Sequence, residues 1–131
     1  MKILIVEDDF ASRKLLKKYL TEFGEVDVAT DGRDAVLAFK ASLEEGITYD
    51  VIFLDIMLPK MSGQDVLKEI RVMENEQGIF GSKMVKIIMT TALSDATNIM
   101  SAFNSQCEAY ITKPIDKQKI IKEMKELELI P

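Results

Sequence analysis

The stretch "YDVIFLDIMLPKMSG", residues 49–63, decides the fold because it runs from a buried strand straight into a turn. The four apolar residues 51–54 fit a strand that is covered on both faces, as strands in parallel sheets are. Asp55 ends this run, and Pro59 and Gly63 break the pattern after it. No helix starts at Asp55, so helix capping does not explain this acid. We therefore take Asp55 as a candidate functional residue at the mouth of a buried strand.

Four further apolar runs have the length of strands and alternate with segments in which apolar residues show helical spacing. This alternation predicts an α/β fold, a doubly wound five-stranded parallel sheet with helices on both faces. Ser62, Ser94 and Asp116 are suitable N-caps for the third, fourth and fifth predicted helices. The predicted strands cover residues 2–6, 26–30, 49–54, 85–90 and 109–112.

The size and composition of the chain limit what it can be. A length of 131 residues suits one domain, which we place at residues 1–131. No stretch approaches the roughly 20 consecutive apolar residues that span a bilayer, and the N-terminus lacks the apolar region of a signal peptide. We therefore expect a cytoplasmic protein without membrane insertion. The net charge of −5 argues against direct nucleic acid binding.

The cysteine and histidine content excludes several kinds of site. The chain has a single cysteine, Cys107, and no histidine. An internal disulfide, the Cys/His zinc patterns and catalysis by Ser-His-Asp or Cys-His groups are therefore excluded. We expect Cys107 to be a small buried apolar residue.

Acidic side chains follow two of the predicted strands at their carboxyl ends. Glu7 and Asp8 follow the first strand, and Asp55 follows the third. Ligands of open α/β sheets bind beyond these strand ends, so the three carboxylates share one crevice if the two strands are neighbours. Their repulsion would be severe without a cation, and hard oxygen ligands suit Mg²⁺. The alternative, that Asp8 or Asp9 only caps the following helix, stays open.

A hydroxyl and an ammonium group stand at the ends of the last two predicted strands. Thr90 and Thr91 close the fourth strand, and Lys113 follows the fifth. Because side chains alternate along a strand, only one of the two threonines should face the crevice, and we favour Thr91. Together with Asp55, these groups predict a functional site at this edge of the sheet.

Four sequence blocks carry a resemblance to a known family. The blocks "ILIVEDD", "VIFLDIMLPKMSG", "IIMTTA" and "AYITKPI" are similar, in order and spacing, to the signatures of bacterial response-regulator receiver domains. The similarity covers essentially the whole chain, and the resemblance implies a stand-alone receiver like the single-domain chemotaxis-type and sporulation-type regulators. It implies a flavodoxin-like receiver fold with strand order 2-1-3-4-5.

The resemblance implies a role for each residue of the candidate site. Asp55 matches the phosphoacceptor, Thr91 and Tyr110 match the two switch residues, and Lys113 matches the family's lysine. The Lys113–Pro114 bond matches one that is commonly cis in the family. The implied ligands of Mg²⁺, for which Mn²⁺ can substitute, are Asp8, Asp55, the backbone carbonyl of Met57 and, through water, Glu7.

The function implied by the resemblance is that of a regulatory phosphoacceptor rather than an enzyme that turns over a substrate. The implied donor is the phosphohistidine of a sensor histidine kinase or of a histidine phosphotransfer protein, and the domain catalyses its own phosphorylation and dephosphorylation. Phosphorylation is expected to change the surface of the fourth predicted helix, the fifth strand and the fifth predicted helix, and so to control a downstream protein. We expect a monomer or weak dimer.

Two apolar residues flank the implied phosphorylation chemistry. Met57 lies two positions after Asp55 and Leu93 two positions after Thr91, where the family is thought to tune the rate of hydrolysis. Both should exclude an attacking water, which predicts a long-lived phosphoprotein. Gln106 departs from the family pattern, because a glycine usually stands there.

Two other functions compete with this interpretation. A phosphohydrolase of the haloacid-dehalogenase kind also uses an aspartate and Mg²⁺, but it needs a second acid where this chain has Met57. A flavodoxin-like cofactor module needs a phosphate-binding loop after the first strand, where Glu7, Asp8 and Asp9 would repel a phosphate. Both are therefore disfavoured.

Overall fold

A five-stranded parallel sheet forms the centre of the molecule in the computed structural model, which describes residues 1–92 and 106–131. The strands lie in the order β2-β1-β3-β4-β5, as the resemblance implied. Each strand lies within about two residues of its predicted position. The strands are β1 Lys2–Val6, β2 Glu25–Ala29, β3 Val51–Asp55, β4 Lys86–Ala92 and β5 Ala109–Lys113.

Helices connect these strands and cover the sheet. Ser62 caps α3 by accepting a hydrogen bond from the Asp65 amide, and Asp116 caps the C-terminal helix in the same way through the Lys119 amide, so both predicted caps are confirmed. Ser94 and the predicted fourth helix lie outside the described residues. The described helices are α1 Phe10–Leu20, α2 Gly32–Glu45, α3 Gly63–Glu76 and the C-terminal helix Lys117–Glu126.

Two apolar cores lie on opposite faces of the sheet because neighbouring strand residues point in opposite directions. Leu54 of β3 belongs to the core beneath α2 and α3, whereas Phe53 belongs to the core beneath α1 and the C-terminal helix. The strand is fully covered, so the run of consecutive apolar residues was a correct signal of two-sided burial. Cys107 is buried in the first core, as expected.

The connection between α3 and β4 contains a short 3₁₀ helix, Gly81–Lys83. The backbone has positive φ at Gly78 and at Gly81, which allows the chain to turn twice within four residues. Phe80, between them, exposes 61% of its surface. This part of the connection therefore does not bury its aromatic side chain against the domain.

Within residues 1–92 and 106–131, no helix combines the length and the hydropathy needed to cross a bilayer.

Candidate phosphoacceptor and metal site

Three carboxylates meet at the carboxyl ends of β1 and β3. Because these strands are neighbours, Glu7, which follows β1, and Asp55, which ends β3, lie side by side. Both are almost fully buried, with exposed fractions of 1% and 4%, whereas Asp8 is exposed. One carboxylate oxygen from each of the three lies within 4.8 Å of the others. The structure therefore brings together the three acids that the sequence predicted.

The capping alternative applies to Asp9 and not to Asp8. Asp9 is the N-cap of α1, and its Oδ2 accepts a hydrogen bond of 2.9 Å from the Ser12 amide. This bond lowers the pKa of Asp9 below its usual range. The amide of Asp9 also donates to Glu7 Oε2 at 3.1 Å, which orients that buried carboxylate. The residue that caps α1 thus also helps to hold the Glu7 carboxylate in the acidic cluster.

Lys113 is the cation of the acidic cluster. It ends β5, and its side chain crosses the end of β4 to place Nζ 2.7 Å from Glu7 Oε1 and 3.3 Å from Asp55 Oδ2. The Lys113–Pro114 peptide bond is cis, as the resemblance implied. Within the described residues, one ammonium group pairs with two of the three carboxylates, so these side chains keep an excess of negative charge when all three acids are ionised.

The protonation behaviour of the cluster follows from burial and crowding. Burial raises the pKa of Glu7 above its ordinary value, the neighbouring Asp55 raises it further, and the hydrogen bond from Lys113 opposes both. Burial also acts to lower the pKa of Lys113, but the two carboxylates outweigh burial and leave that pKa raised. Lys113 therefore remains a cation at neutral pH.

The donor atoms of the cluster fit Mg²⁺. All three ligands are carboxylate oxygens, which Mg²⁺ prefers, and the exposure of Asp8 leaves room for the water that this ion keeps. A divalent cation would also neutralise the excess charge that Lys113 leaves. The family expectation and the donor set therefore agree on the class of ion.

The hydroxyl side of the site contains both threonines. Thr90 is the register partner of Asp55, and Thr91 is the register partner of Thr112. Both threonines are buried, and the Thr91 hydroxyl lies 3.3 Å from the Ala92 carbonyl, to which it donates. The preference for Thr91 over Thr90 as the switch hydroxyl stays a prediction.

The aromatic switch candidate lies on β5. Tyr110 pairs in register with Met89 of β4 and exposes 43% of its surface. This ring is therefore accessible on the edge strand. Its movement in response to Thr91 stays a prediction.

The loop after β3 lies next to Asp55 at both of its ends. The Met57 amide donates to Asp55 Oδ1 at 3.2 Å, and the Gly63 amide donates to the Ile56 carbonyl at 2.9 Å. A Cβ atom on Gly63 would lie 2.2 Å from the Asp55 carbonyl oxygen, so only glycine allows α3 to begin this close to the site. The Met57 side chain is 72% exposed. Its predicted effect on hydrolysis stays a prediction, and Leu93 lies outside the described residues.

The sequence did not reveal what holds this loop from the other side. Lys60 has a left-handed backbone with φ of 67° and forms a 3.4 Å ion pair with Asp31, the N-cap of α2. The Asp34 amide and Lys60 together lower the pKa of Asp31. The only local signal was the pair Asp31–Gly32 after β2, which predicts a helix start but not a contact 29 residues away.

Comparisons with known proteins agree with the geometry. The family model for the response regulator receiver domain matches residues 3–125. The regulatory protein VanRB of Enterococcus faecalis is 35% identical over 128 residues, which are 97% of this chain and 52% of that protein. The chain spans about half or less of the length of the curated relatives it matches.

Two solved structures are similar over nearly the whole chain. One is the receiver domain of Ssk1 from Saccharomyces cerevisiae, in complex with the histidine phosphotransfer protein Ypd1. It has a TM-score of 0.82 and 29% identity, covering 97% of this chain and 88% of that chain. The other is the receiver domain of sensor histidine kinase PA1611 from Pseudomonas aeruginosa, with a magnesium ion in its active site cleft. It has a TM-score of 0.77 and 25% identity, covering 97% of each chain. This chain therefore belongs to the response regulator receiver domain family.

Proposed function

We propose that Asp55 accepts a phosphoryl group from a phosphohistidine in another protein and that the domain acts as a signalling switch. The observation that carries this proposal is the contact of Lys113 with Glu7 and Asp55 beside the Asp8 carboxylate. This contact supports the proposal because a carboxylate that can act as a nucleophile, a cation and further oxygen donors lie at one edge of the sheet.

The chain supplies the nucleophile for the transfer step, and only the phosphoryl donor and Mg²⁺ come from outside. A carboxylate oxygen of Asp55 attacks the phosphorus atom, the phosphorus–nitrogen bond of the donor breaks, and the nitrogen keeps the electron pair. The product is an acyl phosphate, which water can later hydrolyse. Because these 131 residues contain no histidine, the proposed donor histidine lies outside this domain, or the donor is a small phosphodonor.

Electrostatics supplies most of the catalysis in such a transfer. Asp8, Asp55 and the Met57 carbonyl would hold Mg²⁺, with Glu7 contacting it through water. Bound there, Mg²⁺ would neutralise negative charge on the transferred group. Lys113, whose Nζ lies 3.3 Å from Asp55 Oδ2, would supply a second positive charge. The domain thus catalyses its own modification, and water attack later reverses it.

The switch would start from the new phosphoryl oxygens. They would accept hydrogen bonds from the Thr91 hydroxyl and the Lys113 ammonium, and Tyr110 would turn into the space that Thr91 leaves. β5 and the C-terminal helix would carry the change to the surface, together with the predicted fourth helix. A downstream protein would recognise this altered surface.

The proposed partners follow from the same chemistry. A histidine phosphotransfer protein or a sensor histidine kinase would supply the phosphoryl group, and the similarity to the Ssk1 receiver, solved with Ypd1, supports the first. We propose a monomer or weak dimer located in the cytoplasm, without direct nucleic acid binding. The relatives are about twice as long as this chain or longer, so the proposal concerns the receiver domain and not the effector function of a longer protein.

The test is incubation with Mg²⁺ and acetyl phosphate, followed by intact mass spectrometry. We expect one added phosphoryl group on the wild type and none on Asp55→Asn. Omission of Mg²⁺ with EDTA should abolish the modification of the wild type. Modification of both proteins, or of neither, would contradict the assignment of Asp55.

A further inference from the structure

The N-terminus of α2 packs directly against the loop that joins β3 to α3. A Cβ atom on Gly32 would lie 2.1 Å from the Met61 carbonyl oxygen and 2.8 Å from Val66 Cγ2 of α3. Even the smallest side chain at this position would therefore displace the loop or the helix. Gly32 is buried, so this contact is part of the packed interior and not an exposed surface contact.

The neighbouring residue, Asp31, reaches the same loop by charge. Its Oδ1 caps α2 through the Asp34 amide at 2.8 Å, which leaves Oδ2 to bind Lys60 Nζ at 3.4 Å. Lys60 makes this contact from a backbone conformation that side chains rarely adopt, with φ of 67°. Such a conformation persists when the surrounding structure holds it in place.

These contacts hold the middle of the loop between β3 and α3, whose two ends are already fixed by backbone hydrogen bonds. The Ile56 amide donates to the Thr90 carbonyl at 3.1 Å, and the Gly63 amide closes the loop on the Ile56 carbonyl at 2.9 Å. Between these anchors, Lys60 pairs with Asp31 and Met61 lies against Gly32 at the start of α2. The same short loop carries the Met57 carbonyl, one of the ligands proposed for Mg²⁺.

We propose that Gly32 and the Asp31–Lys60 ion pair are positioning elements of the Mg²⁺ site, which they control through the loop that carries Met57. This inference rests on the proposed function. Residues that orient metal ligands typically change metal affinity by about 10- to 100-fold when they are replaced. The start of α2 would act on the site by setting where the loop lies.

The main test compares Gly32→Ala with Gly46→Ala by calorimetric titration with Mg²⁺ and by thermal unfolding. Gly46 is a matched control because it caps the other end of α2 with φ of 73°, and a Cβ there would meet nothing within 4 Å. We expect Gly32→Ala to weaken Mg²⁺ binding about tenfold. Gly46→Ala should reduce thermal stability and leave the Mg²⁺ dissociation constant unchanged.

A second variant removes the ion pair and decides the question if Gly32→Ala does not fold. Lys60→Gln removes a positive charge near the site, and this loss alone should tighten Mg²⁺ binding. A loosened loop should weaken it, so the two effects have opposite signs. Weaker binding, about twofold or more on the scale of an exposed ion pair, supports the positioning role.

Three results would overturn the inference. They are wild-type Mg²⁺ affinity in Gly32→Ala, an equal loss of affinity in Gly46→Ala, or unchanged or tighter binding in Lys60→Gln. In each of these the wild type still binds Mg²⁺ and Asp55 is still phosphorylated. A wild type that neither binds Mg²⁺ nor is modified at Asp55 would instead refute the proposed function itself.

Discussion

Two clusters of charged side chains lie at opposite ends of the strands, and they are built differently. At the carboxyl ends, Lys113 pairs with Glu7 and Asp55 beside the exposed Asp8, and no other salt bridge to these acids occurs within the described residues. At the amino ends, Arg71 of α3 binds Glu74 at 2.7 Å and both carboxylate oxygens of a second acid. That second acid is Glu108, with distances of 2.9 and 3.0 Å.

The Arg71 cluster is completed by backbone groups. Arg71 also donates to the carbonyls of Gln106 and Val85, at 2.8 and 3.0 Å. The two glutamates in turn accept from backbone amides, Glu74 from Val85 and Glu108 from Ile87, each at 2.7 Å. Gln106, which departs from the family pattern, thus uses its carbonyl to tie the start of the β5 segment to α3.

The difference between the clusters separates a structural role from a functional one. In the Arg71 cluster every charge is matched by hydrogen bonds within the protein, so no further ligand is required. In the Lys113 cluster two buried carboxylates share one cation, and a third, exposed carboxylate beside them forms no salt bridge within residues 1–92 and 106–131. A divalent cation would balance these three acids, which is what a metal-dependent phosphoacceptor needs.

The largest expected effect comes from Arg71→Met. Glu74 would remain buried, with an exposed side-chain fraction of 2%, and would lose its cation. We expect the free energy of unfolding to fall by about 3 kcal/mol, the usual cost of breaking a buried ion pair from one side. Urea denaturation followed by far-ultraviolet circular dichroism measures it, and Mg²⁺ affinity of the folded protein should not change.

The control for this change removes the two acids as well. Combining Arg71→Met with Glu74→Gln and Glu108→Gln leaves no buried charge, and each amide oxygen can still accept a backbone hydrogen bond. This variant should recover part of the lost stability. If the free energy of unfolding of Arg71→Met lay within about 0.5 kcal/mol of the wild-type value, as for ordinary surface changes, the structural role of the cluster would be refuted.

A smaller effect, on the rate of hydrolysis, is expected at the loop beside the Lys113 cluster. Water must reach this site to hydrolyse the acyl phosphate, whereas the Arg71 cluster has no such need. Met57→Asn replaces an apolar side chain with an amide that can hold a water molecule near the phosphoryl group. We expect hydrolysis of phosphorylated Asp55 to become about tenfold faster, equal to about 1.4 kcal/mol of activation free energy. Loss of phosphate with time, followed by intact mass, measures the rate.

Phe80→Asn is the matched control, since Phe80 is also exposed and apolar but lies in the α3–β4 connection. It should leave the hydrolysis rate unchanged. Rapid hydrolysis in the wild type that Met57→Asn does not alter would contradict the predicted role of Met57.

The smallest expected effect is the stability gained by Glu7→Gln without metal. Burial raises the pKa of Glu7, so its ionised form disfavours the folded state at neutral pH. In EDTA at pH 7 we expect the variant to have a higher free energy of unfolding than the wild type. The substituted amide keeps an oxygen that can accept from Lys113.

The difference in unfolding free energy between Glu7→Gln and the wild type should depend on pH. As the pH falls through the raised pKa of Glu7, the wild type takes up a proton and its disadvantage disappears. The two unfolding free energies should therefore converge in acid and diverge as the pH rises. A variant that is less stable than the wild type at pH 7 would show that the Lys113 contact outweighs burial.

Most of the fold was predictable because its signals are local. The apolar run ending at Leu54 indicated two-sided burial, and Ser62 and Asp116 marked helix starts that the structure confirms. The acids of the site were predictable for a related reason. Glu7 and Asp55 follow their strands directly, and parallel strands bring their carboxyl ends to one edge.

The details of strand ends were less predictable. β3 begins at Val51 and not at Tyr49. Asp50 still bonds to both neighbouring segments, because its amide donates to the Lys2 carbonyl at 2.8 Å and its carbonyl accepts from the Lys86 amide at 3.1 Å. Tyr49 remains buried, and its hydroxyl donates to Asp27 at 2.7 Å. The difference of two residues therefore concerns the end of the strand and not the position of the buried segment.

The sequence by itself determined the order of elements, the two-sided burial of the central strand and the identity of the acids at the strand ends. Each depends on residues that are neighbours in the chain or that follow from strand alternation. Only the tertiary structure decided that Gly32 lies against Met61, that Asp31 binds Lys60 and that Arg71 joins α3 to β4 and β5. These contacts join residues far apart in sequence, and they exist only because two helices pack on one face of the sheet.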